Sequence, residues 1–452
     1  MVSNVPSSSG CLMRPTNMMM KKHTIGIGAD YRQDLRRLIA SALQNRQECS
    51  AVEGLELCRS TLGEEEFLAA VDVLLDGHLT MGPQTEAFEA EWSAWLPTDF
   101  SLMVNSGSSA NLLMLSALTF PGNPDGLRPG DEVILPAVGW STSLFPISQT
   151  GCVPVLVDVD RDTLNLSPEK VEEAVTDKTR AILAIHLLGN PCDIPALQTI
   201  ADRHGLYLLE DCCEAHGASI EGRRVGTFGA LAAFSFYYSH HMTSIEGGMV
   251  CGQDRSTWRD GLVSQRAHGW IRGRSDRDQW AKNYPDIDPR WLFATTGYNV
   301  RPTDLNAAIG RAQLRKLSGF IEQRVAIRRR LLDRLRPYES WLAVQRELPG
   351  HSHAAFGLSL MVRPDAPFGR KKLQAFLEAR RIETRPIVGG NFARQPVMGH
   401  VPHRCSGLLA NADLVHCNGL MIGNHADLTA AQEDHLIACI AEFMESHALR
   451  AA

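Results

Sequence analysis

The sequence predicts the α/β class: a mostly parallel sheet with helices on both faces, followed by a smaller α+β lobe. Three observations predict it. Short apolar runs alternate with helical stretches from residue 100 to 252, the pattern turns wholly helical from residue 304, and a second group of strand and helix signals follows residue 353.

The apolar runs come in order. "FSLMVNSG" (100–107) precedes the helical "SSANLLMLSAL". Then come "DEVILPA" (131–137), "VPVLVDV" (153–159), "RAILAIHLLG" (180–189), "LYLLEDCC" (206–213), "LAAFSFYY" (231–238) and "GGMVCG" (247–252). From residue 304, "DLNAAIGRAQLRKLSGFIEQRVAIRRRLLDRL" is helical, and "HAAFGLSLMV" and "KKLQAFLEARRIETRPIV" belong to the smaller lobe. The expected division is a polar N-terminal extension (1–55), a large domain (56–325) and a small C-terminal domain (326–452). No internal repeat or low-complexity linker separates the lobes, so they are expected to pack against each other.

Composition narrows the function. The chain has 452 residues, 44% hydrophobic and 21% charged, the make-up of a globular enzyme with more than one lobe. A net charge of −6 and the lack of a Lys/Arg-rich block argue against nucleic acid as a partner. The eleven cysteines are scattered, and the adjacent pair Cys212-Cys213 is no CxxC pattern, so reduced thiols in the cytoplasm are expected. No apolar run reaches the roughly 18 residues of a membrane span. The opening "MVSNVPSSSGCLMRPTNMMMKKHTIGIGAD" lacks the order of a signal peptide and reads as a polar leader, with Met18, Met19 and Met20 as alternative starts.

Ligands of such sheets bind beyond the carboxyl ends of the strands, and four strand-end loops carry information. "NSGSSAN" (105–111) offers amide N–H groups and a helix dipole to a phosphate-sized anion, or simply a good N-cap at Ser106, Ser108 or Ser109. In "PAVGWSTS" (136–143), Trp140 is a platform for a flat ring or a lobe-packing residue. In "LLEDCCEAHG" (208–217), Glu210 and Asp211 end an apolar strand, and a carboxylate at that depth calls for a cationic partner. The fourth loop is "FSFYYSHHMTSIEGG" (234–248).

Together these motifs resemble the pyridoxal-phosphate enzymes of fold type I, the aspartate-aminotransferase fold, and within them the DegT/DnrJ/EryC1/StrS sugar aminotransferase family. The resemblance runs from about Glu56 to the C-terminus. It implies that Ser108, Ser109 and Ser235 hold the cofactor phosphate, Trp140 stacks on the pyridine ring, Asp211 pairs with the ring nitrogen and Glu214 faces the ring hydroxyl. "GYNVRPTDLNAAIG" (297–310) also matches, and by that match Asn299 reaches the partner subunit's cofactor phosphate, which implies a homodimer with shared sites. A helix start capped by Thr303 or Asp304 explains the Thr-Asp of this segment but not the Asn and Arg before it.

The departure is at residue 240. The aminotransferases of the family carry there the lysine that forms the Schiff base; this chain has His240. Its eight lysines (21, 22, 170, 178, 282, 316, 371, 372) leave none between Lys178 and Lys282. An imidazole makes no imine but moves protons, which favours a noncovalently held cofactor in its amine form, pyridoxamine phosphate. His240 would take a proton from the cofactor's aminomethyl carbon and help the beta hydroxyl leave as water. His241 is expected to point away from its neighbour and is read as structural.

Histidine at this place marks the sugar 3-dehydratases within the family. One branch holds an iron–sulfur cluster on four cysteines. Here no cysteine lies between Cys251 and Cys405, so three of those ligands are missing and neither a cluster nor another metal is expected. The cluster-free branch fits "LTMGPQTEAFE", "RAHGW" and "IETRPIVGGNFARQP" as well. The resemblance then implies C3 deoxygenation of a nucleotide-linked 4-keto-6-deoxyhexose, with L-glutamate restoring the amine. Arg385 is a carboxylate fork for the substrate or the donor, or a lobe-packing salt bridge, and His268 an orienting group. A nucleotide-sugar aminotransferase is the alternative the missing lysine disfavours. A non-catalytic pyridoxal-phosphate or nucleotide-sugar binding protein is disfavoured by the retained site residues.

Overall fold

The computed structural model describes residues 31–49, 54–120, 123 and 125–451; the leader and the alternative starts lie outside the described residues. The strands in chain order are β1 (Phe100–Val104), β2 (Glu132–Pro136), β3 (Val153–Val157), β4 (Thr179–Ile185), β5 (Tyr207–Asp211), the short β6 (Ser219–Ile220) and β7 (Arg223–Arg224), β8 (Leu231–Ser235) and β9 (Gly248–Gly252). After them come β10 (Leu342–Ala343), β11 (His351–Ser352), β12 (Gly357–Val362), β13 (Thr384–Arg385), β14 (Arg404–Cys405) and β15 (Gly419–Gly423).

Eight strands form the large sheet in the order β1-β9-β8-β5-β4-β2-β3-β14. Pairing is parallel from β8 through β14, and β9 is antiparallel to both its neighbours. All residues of β1, β2, β8 and β9 are buried, which is why these strands read as continuous apolar runs instead of alternating ones. Because β9 is antiparallel to both β1 and β8, those two point the same way. Gly248 pairs with Val104 on one side and Ser235 on the other, while Asp211 pairs with Ala233 and Ile185. The carboxyl ends of β1, β8, β5 and β4 therefore line up along one edge.

The second sheet, β10-β12-β15-β13, is antiparallel and has its own core, including Leu358, Leu360, Ile382, Leu420, Ile422 and Phe443. Leu55 is buried in that core and bridges Ile382. The helix Leu317–Leu335 feeds the same core through Ile327, Leu331 and Leu335. In the opposite direction, β14 returns to pair with β3 on the large sheet. The N-terminal helix Tyr31–Cys49 leans on the helix Glu64–Asp76 through Tyr31 and Arg32 to Asp72 and through Arg36 to Glu64. Those ion pairs are solvent-exposed and contribute about 0–1 kcal/mol each.

Candidate active site

The aligned strand ends open onto a cavity of about 630 Å³ closed from the other side by Phe356, Arg385, Val388 and Met421 of the C-terminal region. One wall is the turn after β1. Ser106 caps the helix Gly107–Leu118, its Oγ accepting from the Ser109 amide at 3.0 Å while its hydroxyl donates to Ser109 Oγ at 3.0 Å. Gly107 is required by crowding: a Cβ there would stand 2.4 Å from Ser235 Cβ. That approach brings the helix N-terminus, with its free amides and positive dipole end, against Ser235 at the end of β8. Ser106, Ser108 and Ser235 line the cavity, whereas the Ser109 side chain is engaged in the cap. The N-cap reading of this turn holds at Ser106.

Asp211 is buried at the end of β5. Its Oδ2 accepts from Asn111 Nδ2 at 2.8 Å and Ser143 Oγ at 2.7 Å, and its Oδ1 from the Cys213 amide at 3.1 Å. All three donors are neutral, and no cationic side chain among the described residues is bonded to it. A buried carboxylate with hydrogen bonds but no cation, facing a cavity, fits a ligand that brings a positive N–H of its own. Asn111 lies one helical turn beyond Gly107 and Ser143 in the first turn of the helix Ser141–Gln149. Sequence reasoning did not single out either residue. The signal for Asn111 was its i+4 spacing from Gly107, which places it on the same helix face.

Behind Asp211, Glu210 accepts from the amides of Gly226, Phe228 and Gly229 at 2.7, 2.8 and 2.8 Å. The buried His186 ring lies 3.2 Å from Glu210 Oε2, and its Nδ1 accepts from the Cys192 amide at 3.0 Å, so Nε2 carries the proton that it shares with Glu210. This web locks the ends of β4 and β5. His186, Glu210 and Cys212 place ligand-type atoms close together, but the imidazole and carboxylate are already used by these bonds.

Trp140 is 58% exposed and stands at the cavity mouth as the residue before the helix Ser141–Gln149. An indole packed between lobes would be covered; this one has a free face. Glu214 lines the cavity and accepts the Leu188 amide at 2.8 Å. Burial, with the nearby Asp211 charge, pushes its carboxyl up to about 7.

His240 lines the cavity from the turn after β8, its ring 5.3 Å from that of Phe356 and 6.3 Å from that of His216. Its Nδ1 is sealed without a partner, which leaves Nε2 as the nitrogen open to the cavity. Burial, reinforced by the Arg324 charge, lowers the imidazole to about 3, so the ring is a neutral base at neutral pH. His241 is fully buried and its Nε2 is 2.8 Å from the Ala354 carbonyl; contrary to expectation it does not point away from its neighbour, because the chain turns here and both rings pack on His216 and Phe356. No lysine among the described residues lines the cavity. Lys178 precedes β4, at the opposite edge of the sheet, and Lys282 lies in the helix Arg277–Asn283.

Arg385 reaches the cavity, donates to the Thr384 carbonyl at 2.8 Å and forms no ion pair among the described residues. That leaves its guanidinium available to an incoming anion. Asn299 and His268 are not brought to this cavity within one chain. Asn299 is exposed, bridges Ala267 and accepts from Arg301 Nε at 3.0 Å. His268 packs on Trp270 at 4.5 Å.

Acid should weaken the fold. Burial depresses His216, His241 and His353 well below their ordinary value, and takes His425 to about 4. With His240 they stay neutral in the folded state, while the unfolded chain takes up protons below about pH 6.5. Their stability contribution is therefore complete above that pH and is lost as pH falls. Glu214, raised instead, works in the opposite sense between its ordinary value and about 7, but as one group against five. The urea midpoint should be lower at about pH 5 than at about pH 7; an unchanged or higher midpoint would contradict these assignments.

Fold and cavity define an enzyme of the aspartate-aminotransferase fold, with a histidine where its transaminating members carry lysine. Residues 60–441 match the DegT/DnrJ/EryC1/StrS aminotransferase family, and the chain belongs to that family. GDP-4-keto-6-deoxy-D-mannose 3-dehydratase of Yersinia pseudotuberculosis is 38% identical over 372 residues, which cover 82% of this chain and 93% of the relative. The dTDP-4-dehydro-2,6-dideoxy-D-glucose 3-dehydratase of Saccharopolyspora spinosa is 37% identical over 403 residues, covering 85% of each. Among solved structures, a GDP-4-keto-6-deoxymannose-3-dehydratase with a trapped PLP-glutamate geminal diamine superposes with a TM-score of 0.78 at 35% identity, over 85% of this chain and all (100%) of that one.

Proposed function

We propose that this enzyme removes the C3 oxygen of a nucleotide-linked 4-keto-6-deoxyhexose, using pyridoxamine phosphate held without a covalent bond and restored by L-glutamate. The observation that carries the reading is His240, a neutral imidazole facing a lysine-free cavity. Its 3-dehydratase relatives and the glutamate-derived species in one of their structures support it.

Ser108, Ser235 and the amides of Gly107 and Ser108 at the start of the helix Gly107–Leu118 would hold the phosphate, while Ser109, whose amide and hydroxyl are taken by Ser106, would support them through the cap. Trp140 would cover one ring face, Asp211 would accept from the protonated ring nitrogen, and Glu214 would meet the ring hydroxyl. When bound, the cofactor supplies the amine that condenses with a ketone and a protonated ring that draws electrons away from the reacting carbon. His240 Nε2 takes up a proton in the cavity and, as imidazolium, donates it to the C3 hydroxyl as it departs as water. Arg385 would anchor a carboxylate or phosphate at the mouth. In the balance, the sugar loses one oxygen, and glutamate leaves as 2-oxoglutarate and ammonia.

We place the enzyme in the cytoplasm as a homodimer, with Asn299 completing the partner's phosphate site and His268 orienting beside it. Their position away from the cavity of their own chain, Asn299 exposed and His268 half-buried against Trp270, is compatible with action in trans. We also assign 56–325 to the cofactor-binding domain and 326–452 to the small domain; the boundary falls within the helix Leu317–Leu335. Mixing an Asn299→Ala chain with an Asp211→Ala chain should restore activity neither has alone, because one hybrid site is intact. Two inactive variants that stay inactive when mixed would argue against shared sites.

The function is tested by incubating the protein with pyridoxal phosphate, L-glutamate and a panel of nucleotide-linked 4-keto sugars. The expected product is lighter by one oxygen atom, with 2-oxoglutarate formed in equal amount. An amino sugar as the main product would favour the aminotransferase reading.

A further inference from the structure

The helix Leu317–Leu335 buries Arg324, which is 3% exposed. Its charge is met by no ion pair among the described residues; Cys58 and Asp427 are the acidic groups whose field reaches it. Its hydrogen bonds go to three backbone carbonyls on separate segments. Nη1 donates to Asn424 at 2.8 Å and to Phe356 at 3.1 Å, and Nη2 donates to the carbonyl of His240 at 3.4 Å. Nε has no acceptor. Asn424 closes the joint by donating from Nδ2 to the carbonyls of Arg324 (3.0 Å) and Ala355 (2.8 Å). A buried guanidinium without a counter-ion is costly, and a core packed only for stability has no need of it.

We propose that Arg324 is the positioning residue for proton transfer at His240, a three-way clamp that fastens the turn carrying the imidazole to Phe356 and Asn424 of the smaller lobe. The proposal rests on the reading of His240 as the base. Phe356 is both clamped by Arg324 and packed, tilted by 37°, against the His240 ring, so the clamp sets where Nε2 points. Its positive charge also opposes protonation of that ring. Around His240 stand Asp211 at the end of β5, Cys213, Glu214 and His216 from the segment after it, Tyr237, His241 and Glu246 from its own turn, and Arg385 from the smaller lobe. Burial acts first on the ring, and Arg324 is the charge that adds to it.

The test separates charge from clamp. In cofactor-free protein followed from about pH 7 down to about pH 3, the Cε1–H signal of His240, assigned by its loss in His240→Asn, should stay at its neutral position until about pH 4. In Arg324→Gln its protonation midpoint should rise by at least about one pH unit; coincident wild-type and variant curves would overturn the electrostatic half. Arg324→Lys keeps the charge but cannot reach three carbonyls. It should leave the titration and KM near wild type and lower kcat at least about tenfold, and it decides the matter if the Gln variant does not fold. A Lys variant with wild-type kcat would overturn the clamp. Should wild-type enzyme perform no dehydration while the Gln curve still shifts, the functional reading fails and the Arg324 coupling stands.

Discussion

His240→Asn is expected to lower turnover by at least about a hundredfold while leaving binding of pyridoxamine phosphate and sugar nucleotide intact, since positioned acid–base groups typically contribute about 10²–10⁴. The amide approximates the shape of the ring but cannot accept a proton at the place of Nε2. The backbone of the turn should survive, because it is held by the carbonyl of residue 240 and by its amide, which donates to Tyr237 at 3.0 Å. His240→Lys separates chemistry from packing more sharply. A lysine there would offer the cofactor aldehyde a covalent link in a cavity that has none, suppress dehydration and move the enzyme toward its transaminating relatives. If the asparagine variant dehydrates sugar at the wild-type rate, His240 is not the base, and His268 or His241 must be reconsidered; His241 is already tied to the Ala354 carbonyl.

Asp211→Asn should be nearly as damaging for a different reason. The amide oxygen can keep the bonds from Asn111 and Ser143 at 2.8 and 2.7 Å, but its NH₂ then meets the Cys213 amide N–H, which now donates to Oδ1. Two donors facing each other in a buried site cost about 1–3 kcal/mol. The larger loss is the negative charge that keeps a pyridine nitrogen protonated, without which the ring is a poor electron sink. Turnover should fall at least about a hundredfold, and the absorption spectrum of bound cofactor should move toward that of the unprotonated ring. An active variant with an unchanged spectrum would show that Asp211 does not face the ring nitrogen.

These two residues also mark what the sequence made legible. Continuous apolar runs gave the strands because both faces of the large sheet are covered; the strand-end rule then led to four loops, and the family resemblance picked out within them Ser108, Trp140, Asp211, Ser235 and His240, all of which line one cavity. What stayed hidden depends on distant approach. Asn111 and Ser143 reach Asp211 across 100 and 68 residues of chain, and no local pattern encodes that meeting. Arg324 reads as one cation of an amphipathic helix, yet it turns inward because three carbonyls from separate segments converge on it. The sequence suggested a cationic partner for Asp211, and the protein itself provides only neutral donors, which makes the position meaningful only with a ligand. The two-residue strand β14 and the single bridge at Leu55, both pairing far from their own neighbours in sequence, also lay beyond periodicity.

If histidine in place of lysine diverts the amine from transfer to elimination, the nitrogen must leave the sugar. With ¹⁵N-labelled L-glutamate, pyridoxal phosphate and a nucleotide-linked 4-keto-6-deoxyhexose, label is expected in free ammonium, in step with 2-oxoglutarate, and the 3-deoxy sugar should be free of ¹⁵N. Label retained in the sugar as a stable amine would contradict this.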